Sequence, residues 1–220
     1  MNSRRSSNKS EADDSTAKAS PQQLGKQKYL FPIVRIGASA GELEAFTQLL
    51  NHLPADTGIG FVLIQHMDPQ QKSMLIEILS QTTQIAVTEA EEGMSVQPNH
   101  VDVIRPNATM TISEGVLKLR TREKIYGLSM TVDGFLFSLA EDLGNKAIGV
   151  MLSGGDGDGT RALESIKKLG GITFPKCEES AKVSSMPNNA VASGYVDFIL
   201  TLGKVTEKLA NISFHTYINH

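Results

Sequence analysis

Ile33-Val34-Arg35-Ile36-Gly37-Ala38-Ser39-Ala40-Gly41-Glu42-Leu43-Glu44-Ala45-Phe46 is the stretch on which the fold turns. It reads as a short apolar strand, a turn of very small residues, and an amphipathic helix whose stripe continues through Leu49, Leu50 and Leu53. Ser39 occupies the bend, with Gly37 and Gly41 two residues away on either side, the pattern G-x-S-x-G. A serine at such a strand-to-helix turn stands exposed above a parallel sheet. The amides after it point out of a helix N-terminus, which suits an acyl-transfer nucleophile. The same residues carry a second reading: Ser39 and Glu42 match the capping box S-x-x-E, in which the serine only satisfies helix amides. A dinucleotide fingerprint fits poorly, because Ala38-Ser39-Ala40 supplies no second glycine for G-x-G-x-x-G.

Outward from this stretch, strands and helices alternate. Ile59–Gln65 is a continuous apolar run, the mark of a parallel strand buried on both faces. Leu75, Ile78 and Leu79 stripe the next helix. Val101–Ile104 is a short strand, and Thr109–Leu119 alternates around Ser113-Glu114-Gly115 as a hairpin. A charged loop over 120–130 precedes a helix marked by Val132, Phe135, Leu136, Leu139 and Leu143. Ala147–Leu152 is a second fully apolar strand, followed by the glycine-rich loop Ser153–Gly159 and a helix over Thr160–Leu169 closed by Gly170-Gly171. Strands at Ile172–Phe174 and Val196–Leu200, with short helices near 187–193 and 203–211, complete the pattern. The alternation predicts a doubly wound, mostly parallel α/β sheet with helices on both faces and a small β-hairpin excursion.

The 220 residues suffice for one well-packed domain and are too few for two large ones. Residues 1–27 are polar and read as a disordered tail or linker remnant, 28–212 as the α/β domain, and 213–220 as a C-terminal tail. A net charge of −3 gives no reason to expect nucleic acid as a partner. No apolar run approaches a membrane span, and the basic N-terminus leads into no apolar core. The expectation is a cytoplasmic protein without membrane insertion. The single cysteine, Cys177, excludes a disulfide within the chain, and no cysteine-protease pattern surrounds it.

In doubly wound sheets ligands bind beyond the carboxyl ends of the strands. Three such ends carry reactive groups: Ser39 after the first strand, His66 after Ile59–Gln65, and a loop with Asp156 and Asp158 after Ala147–Leu152. A hydroxyl, an imidazole and a carboxylate at neighbouring strand ends are the set an activated serine requires. Each has a plainer reading, His66 as a structural strand-end histidine and the aspartates as helix caps. Asp156-Gly157-Asp158-Gly159 is only a fragment of a calcium loop, with no later glutamate at the required spacing, so no metal site is expected.

Gly37-Ala38-Ser39-Ala40-Gly41, Gln65-His66-Met67 and Leu152-Ser153-Gly154-Gly155-Asp156-Gly157-Asp158-Gly159-Thr160 together resemble the catalytic domain of the CheB-type protein-glutamate methylesterases of chemotaxis. Glu92-Gly93-Met94-Ser95-Val96, Pro98-Asn99-His100-Val101, Ser180-Ala181-Lys182 and Met186-Pro187 extend the resemblance over roughly 31–200, closest to the variant fused to a receptor methyltransferase. The resemblance implies a doubly wound domain that hydrolyses γ-glutamyl methyl esters on receptor helices; many members also deamidate receptor glutamines. Matched by motif, it makes Ser39 the nucleophile, His66 the base and Asp158 the orienting acid, with backbone amides near Ala40 and Gly155 as oxyanion donors and no cofactor. It implies methylated chemoreceptor helices as partners, and a receiver or fused methyltransferase domain as the source of control. Two departures add negative charge near the site: Glu42 where the family commonly has a second glycine, and Asp156 where its loop commonly has glycine, with Gly155 replacing a bulkier residue. A catalytically weakened receptor-docking domain and a nucleotide-binding α/β domain are the competing readings.

Overall fold

The computed structural model describes residues 31–38, 43–65, 74–121, 131–152, 160–175 and 200–218. Its centre is a parallel sheet built from β1 (Ile33–Ala38), β2 (Gly60–Gln65), β3 (Ala86–Glu89), β4 (His100–Val103), β7 (Ala147–Met151) and β8 (Ile172–Pro175). The order across the sheet is β3-β4-β2-β1-β7-β8, and every recorded pairing in it is parallel. A separate antiparallel pair, β5 (Ala108–Ser113) and β6 (Val116–Thr121), is the hairpin excursion. Its turn falls at Glu114 (φ 50°) and Gly115 (φ 64°), the left-handed pair that a two-residue hairpin turn needs.

Among the described residues five helices cover the sheet: α1 (Leu43–Asn51), α2 (Leu75–Thr82), α3 (Thr131–Leu143), α4 (Thr160–Lys168) and α5 (Leu202–Ile218). The strand side chains sort by the two-residue period. Val34, Ile36, Phe61, Leu63, Ile148 and Val150 pack with Phe46, Leu49 and Leu50 of α1, Leu79 of α2, and Val205 and Leu209 of α5. Ile33, Val62, Ile64, Ala147 and Met151 pack on the other face with Phe135, Leu136 and Leu139 of α3, Leu163 and Ile166 of α4, and Met110, Ile112 and Leu117 of the hairpin. Having both faces covered is the reason β2 and β7 read as unbroken apolar runs.

Polar clamps fix the hairpin to α3. The Asp142 carboxylate accepts from the Glu114 and Gly115 amides at 2.6 and 2.7 Å. The Ser138 hydroxyl accepts from the Ile112 amide at 3.0 Å and donates to the Phe135 carbonyl. At the start of β8, a Cβ on Gly171 would lie 2.4 Å from the Ala147 carbonyl oxygen, so only glycine lets α4 return this closely to β7.

Two elements differ from the sequence-based expectation. The sequence reading has no strand at 86–89, yet β3 forms there as an edge strand beside β4. Ala86, Thr88 and Glu89 are exposed and only Val87 is half-buried, so the apolar alternation that marks a strand is missing. The expected short helix at 203–211 is instead α5, which runs to Ile218. The inward stripe Leu202, Val205, Leu209 and Ile212 carries it past the anticipated stop. The expected strand at 196–200 falls outside the described residues apart from Leu200, and the helix near 187–193 and Cys177 fall wholly outside them.

Candidate active site

The carboxyl edge of the sheet is where the candidate residues leave the fold. β1 lies between β2 and β7. Ala38 at the end of β1 is the Cα partner of Gln65 at the end of β2, and Gly37 is the partner of Met151 at the end of β7. The Leu152 amide continues the ladder, donating to the Gly37 carbonyl at 2.9 Å. Neighbouring parallel strands run about 4.8 Å apart, so three chains depart side by side at one level. The next residues in sequence are Ser39 after Ala38, His66 after Gln65, and Ser153, which begins the loop with Gly155, Asp156 and Asp158. Ser39, Ala40, His66, Gly155 and Asp158 themselves lie outside the described residues.

The strand order makes β1 a topological switch point. From β1 the chain goes through α1 to β2 on one side, and later returns through α3 to β7 on the other. α1 and α3 cover opposite faces, so the connections diverge at β1, the kind of switch point at which doubly wound sheets bind ligands. Ser39 is the next residue after that strand in sequence. A cleft of about 290 Å³ between α1 and α5, lined by Gln48, His52, Leu202, Thr206 and Glu207, lies on the later half of α1, which leads to the amino end of β2. It is therefore remote from the edge that ends in Ala38 and Gln65.

One feature of β1 escapes a reading of local sequence. Arg35, within the strand read as apolar, is completely buried. Its guanidinium lies over Gly37: a Cβ built there would come within 2.0 Å of Cζ and Nη2 and 2.1 Å of Nη1. Gly37 therefore gives the arginine its space as well as opening the turn. Arg35 belongs to a polar row that crosses the sheet, Thr88–Asp102–Val62–Arg35–Gly149–Thr173, each residue the Cα partner of the next. Asp102 and Thr173 are buried as well. Burial pushes the Asp102 carboxyl up to about 6, against the opposing pull of the His100 charge and the Thr88 hydroxyl. His100 Nε2 lies 2.8 Å from Thr88 Oγ1 and 3.7 Å from Asp102 Oδ1, while Asp102 Oδ2 has no hydrogen-bond partner among the described residues. The available signal was a lone charge inside each of two strands that otherwise read as core. Among the described residues no three metal-binding side chains cluster. No described helix is long and apolar enough to cross a membrane.

A family model described as CheB methylesterase matches residues 34–209, from the second residue of β1 into α5. The chain belongs to the CheB methylesterase family. Its similarity to a protein-glutamate methylesterase/protein-glutamine glutaminase of Pyrococcus horikoshii is 30% identity over 178 residues, covering 79% of this chain and 48% of that protein. A protein-glutamate methylesterase/protein-glutamine glutaminase 1 of Myxococcus xanthus is 31% identical, over 82% of this chain and 54% of that protein. The chain thus spans about half the length of these relatives. A Leptospira interrogans protein described as "Putative protein-glutamate methylesterase/protein-glutamine glutaminase" is 29% identical, over 80% of this chain and 92% of that protein. Among solved structures, the CheB methylesterase catalytic domain of Thermotoga maritima superposes with a TM-score of 0.75 at 30% identity, covering 83% of this chain and 98% of that domain. The doubly wound CheB fold expected from sequence is thus the fold observed.

Proposed function

We propose that the chain is a protein-glutamate methylesterase: a serine hydrolase that removes methyl esters from glutamate side chains on the cytoplasmic helices of chemoreceptors, with deamidation of receptor glutamines as a second activity of the same site. Support comes from its membership of the CheB family and from the names of its relatives. The observation that carries most weight is the pairing of Ala38 with Gln65, because Ser39 and His66 are the very next residues.

In this reading His66 accepts the Ser39 proton as Ser39 Oγ attacks the ester carbonyl. Asp158 accepts from the other imidazole nitrogen, which fixes the tautomer and stabilises the imidazolium. The Ala40 and Gly155 amides hold the tetrahedral oxyanion, each such donor being worth about 10²–10³ in rate. Collapse expels methanol, protonated by His66, and leaves a glutamyl ester on Ser39. Water then attacks with His66 again as base, releasing the glutamate carboxylate and regenerating the serine hydroxyl. The chemistry calls on no metal or cofactor. Control by a receiver or methyltransferase domain, joined to the chain or acting as a partner, belongs to the same proposal, as does a cytoplasmic location beside the receptors.

Fluorophosphonate labelling tests the reading directly, since it reports an activated serine. The wild-type protein should label and release methanol from methylated receptor, and Ser39→Ala should lose roughly 10⁴-fold or more of its turnover. Ordinary esterase activity in Ser39→Ala would refute the assignment. Receptor binding by the wild type without methanol release would mark a docking domain instead.

A further inference from the structure

The two faces of the hairpin β5–β6 meet different surroundings. Ala108, Met110, Ile112, Leu117 and Leu119 are buried in the core shared with α3. The alternate positions make the outward face, and the register pairs Thr109 with Arg120, Thr111 with Lys118, and Ser113 with Val116. Thr111, Ser113, Lys118 and Arg120 are exposed, so hydroxyls line one strand of that face and cations the other. Cations on a strand can serve only to keep sheets from pairing edge to edge. Here the edge of β6 is already occupied. The Gly93 amide donates to the Leu117 carbonyl at 3.0 Å, and the Leu117 amide to the Met94 carbonyl at 2.7 Å. Neither Lys118 nor Arg120 makes an ion pair among the described residues. The described acids nearby are engaged or set apart. The Glu92 carboxylate accepts from the Leu119 amide, and Asp142 of α3 accepts from the turn amides. Glu91 is exposed on the neighbouring segment, and Glu114 stands at the turn, the end of the hairpin away from Arg120.

The strip also has a direction. Asp142, which clamps the turn, lies near the end of α3 that leads to the amino end of β7. The open end of the hairpin comes off the carboxyl end of β4, since β4 stops at Val103 and β5 begins at Ala108. Arg120 therefore lies nearer than Lys118 to the sheet edge at which β1 and β2 end. We propose that this outward face is a docking strip for the substrate: Lys118 and Arg120 receive an acidic face of the receptor helix, with the Thr111 and Ser113 hydroxyls beside them. The identity of the partner rests on the methylesterase reading. A helix with methylatable glutamates carries carboxylates wherever they are not esterified, and each turnover adds one. The spacing matches as well. Positions two apart on a strand are about 6.8 Å apart, and positions four apart on a helix face about 6 Å, so two such carboxylates meet both cations at once. Charges of this kind act on association and its salt dependence, not on bond breaking.

The test is methanol release by the full chain from a methylated, soluble cytoplasmic fragment of a chemoreceptor. The double variant Lys118→Glu/Arg120→Glu should raise KM about tenfold or more while kcat holds, and fluorophosphonate should still label Ser39 at the wild-type rate. Raising salt from about 50 to about 300 mM should raise the wild-type KM several-fold and that of the double variant far less. Lys118→Arg/Arg120→Lys should match wild type. Lys204→Glu/Lys208→Glu makes the same change in net charge on α5, which covers the opposite face of the sheet, and should leave KM unchanged. An unchanged KM in the folded hairpin variant overturns the inference, as does an equal rise in the α5 variant. Self-association of the wild type that the hairpin variant abolishes would give the strip to a second copy, and tighter binding to vesicles of anionic phospholipid than to the fragment would give it to a membrane; either overturns the inference. Absence of Ser39-dependent labelling in the wild type would instead overturn the hydrolase reading, and direct binding of the fragment by wild type and hairpin variant would still decide the docking strip.

Discussion

Replacing Gly37 by alanine puts a methyl group where the Arg35 guanidinium now lies. The new Cβ would start 2.0 Å from Cζ and Nη2, against an ordinary contact of about 3.5–4.0 Å, so the guanidinium must retreat by about 1.5 Å or more. Arg35 has no exposed surface and sits between Val62 and Gly149, which leaves no easy retreat. Overpacking in a core costs about 1–3 kcal/mol, and disturbing the partners of a buried charge costs about 3–5 kcal/mol. A loss of about 3 kcal/mol is therefore expected for Gly37→Ala in the wild-type background. In an Arg35→Ala background the obstructing atoms are gone. The same glycine replacement should then cost less than about 1 kcal/mol, or slightly stabilise, because alanine suits a strand interior better than glycine. Urea denaturation of the four proteins at one pH gives the cycle, and a coupling of about 2–3 kcal/mol is the expected reading. Equal costs of Gly37→Ala in both backgrounds would refute the close packing of guanidinium on glycine.

Asp102 makes stability depend on pH in an unusual direction. Its folded value of about 6 lies above the ordinary 3.8, so the folded state holds the proton more tightly and stability declines as pH rises from about 4 through 6. Above that range the buried charge costs up to about 3 kcal/mol; Asp102→Asn should flatten the pH dependence of the denaturation midpoint between pH 4 and 7, and an unchanged slope would count against it. Asp142→Ala removes both carboxylate bonds to the hairpin turn and should cost about 2 kcal/mol, with faster hydrogen exchange at the Glu114 and Gly115 amides as its local signature. In the proposed triad, Asp158→Asn should depress methanol release far more than Asp156→Asn; the reverse ranking in a turnover assay would move the orienting role to Asp156.

Local sequence was enough wherever one short segment carries its own physical signal. The apolar runs of β2 and β7 declare strands buried on both faces, and Glu114-Gly115 declares a tight hairpin turn. The stripes of α1 to α3 declare helices that cover a core, and Gly170-Gly171 declares the end of α4. The ordered motifs from Gly37 to Thr160 were enough to identify the family and nominate the reactive residues. Tertiary structure alone decided which strands are neighbours, because hydrogen bonding between strands distant in sequence leaves no local periodicity. It inserted β4 between β3 and β2, and it set β1 between β2 and β7 so that Ala38 and Gln65 end side by side. It also turned Arg35 and Asp102 from unremarked letters in two strands into buried charges on one row of the sheet. A charged residue in a strand has the same local pattern whether it meets water or a helix, and only the packing of α3, α4 and the hairpin over that face resolves the difference.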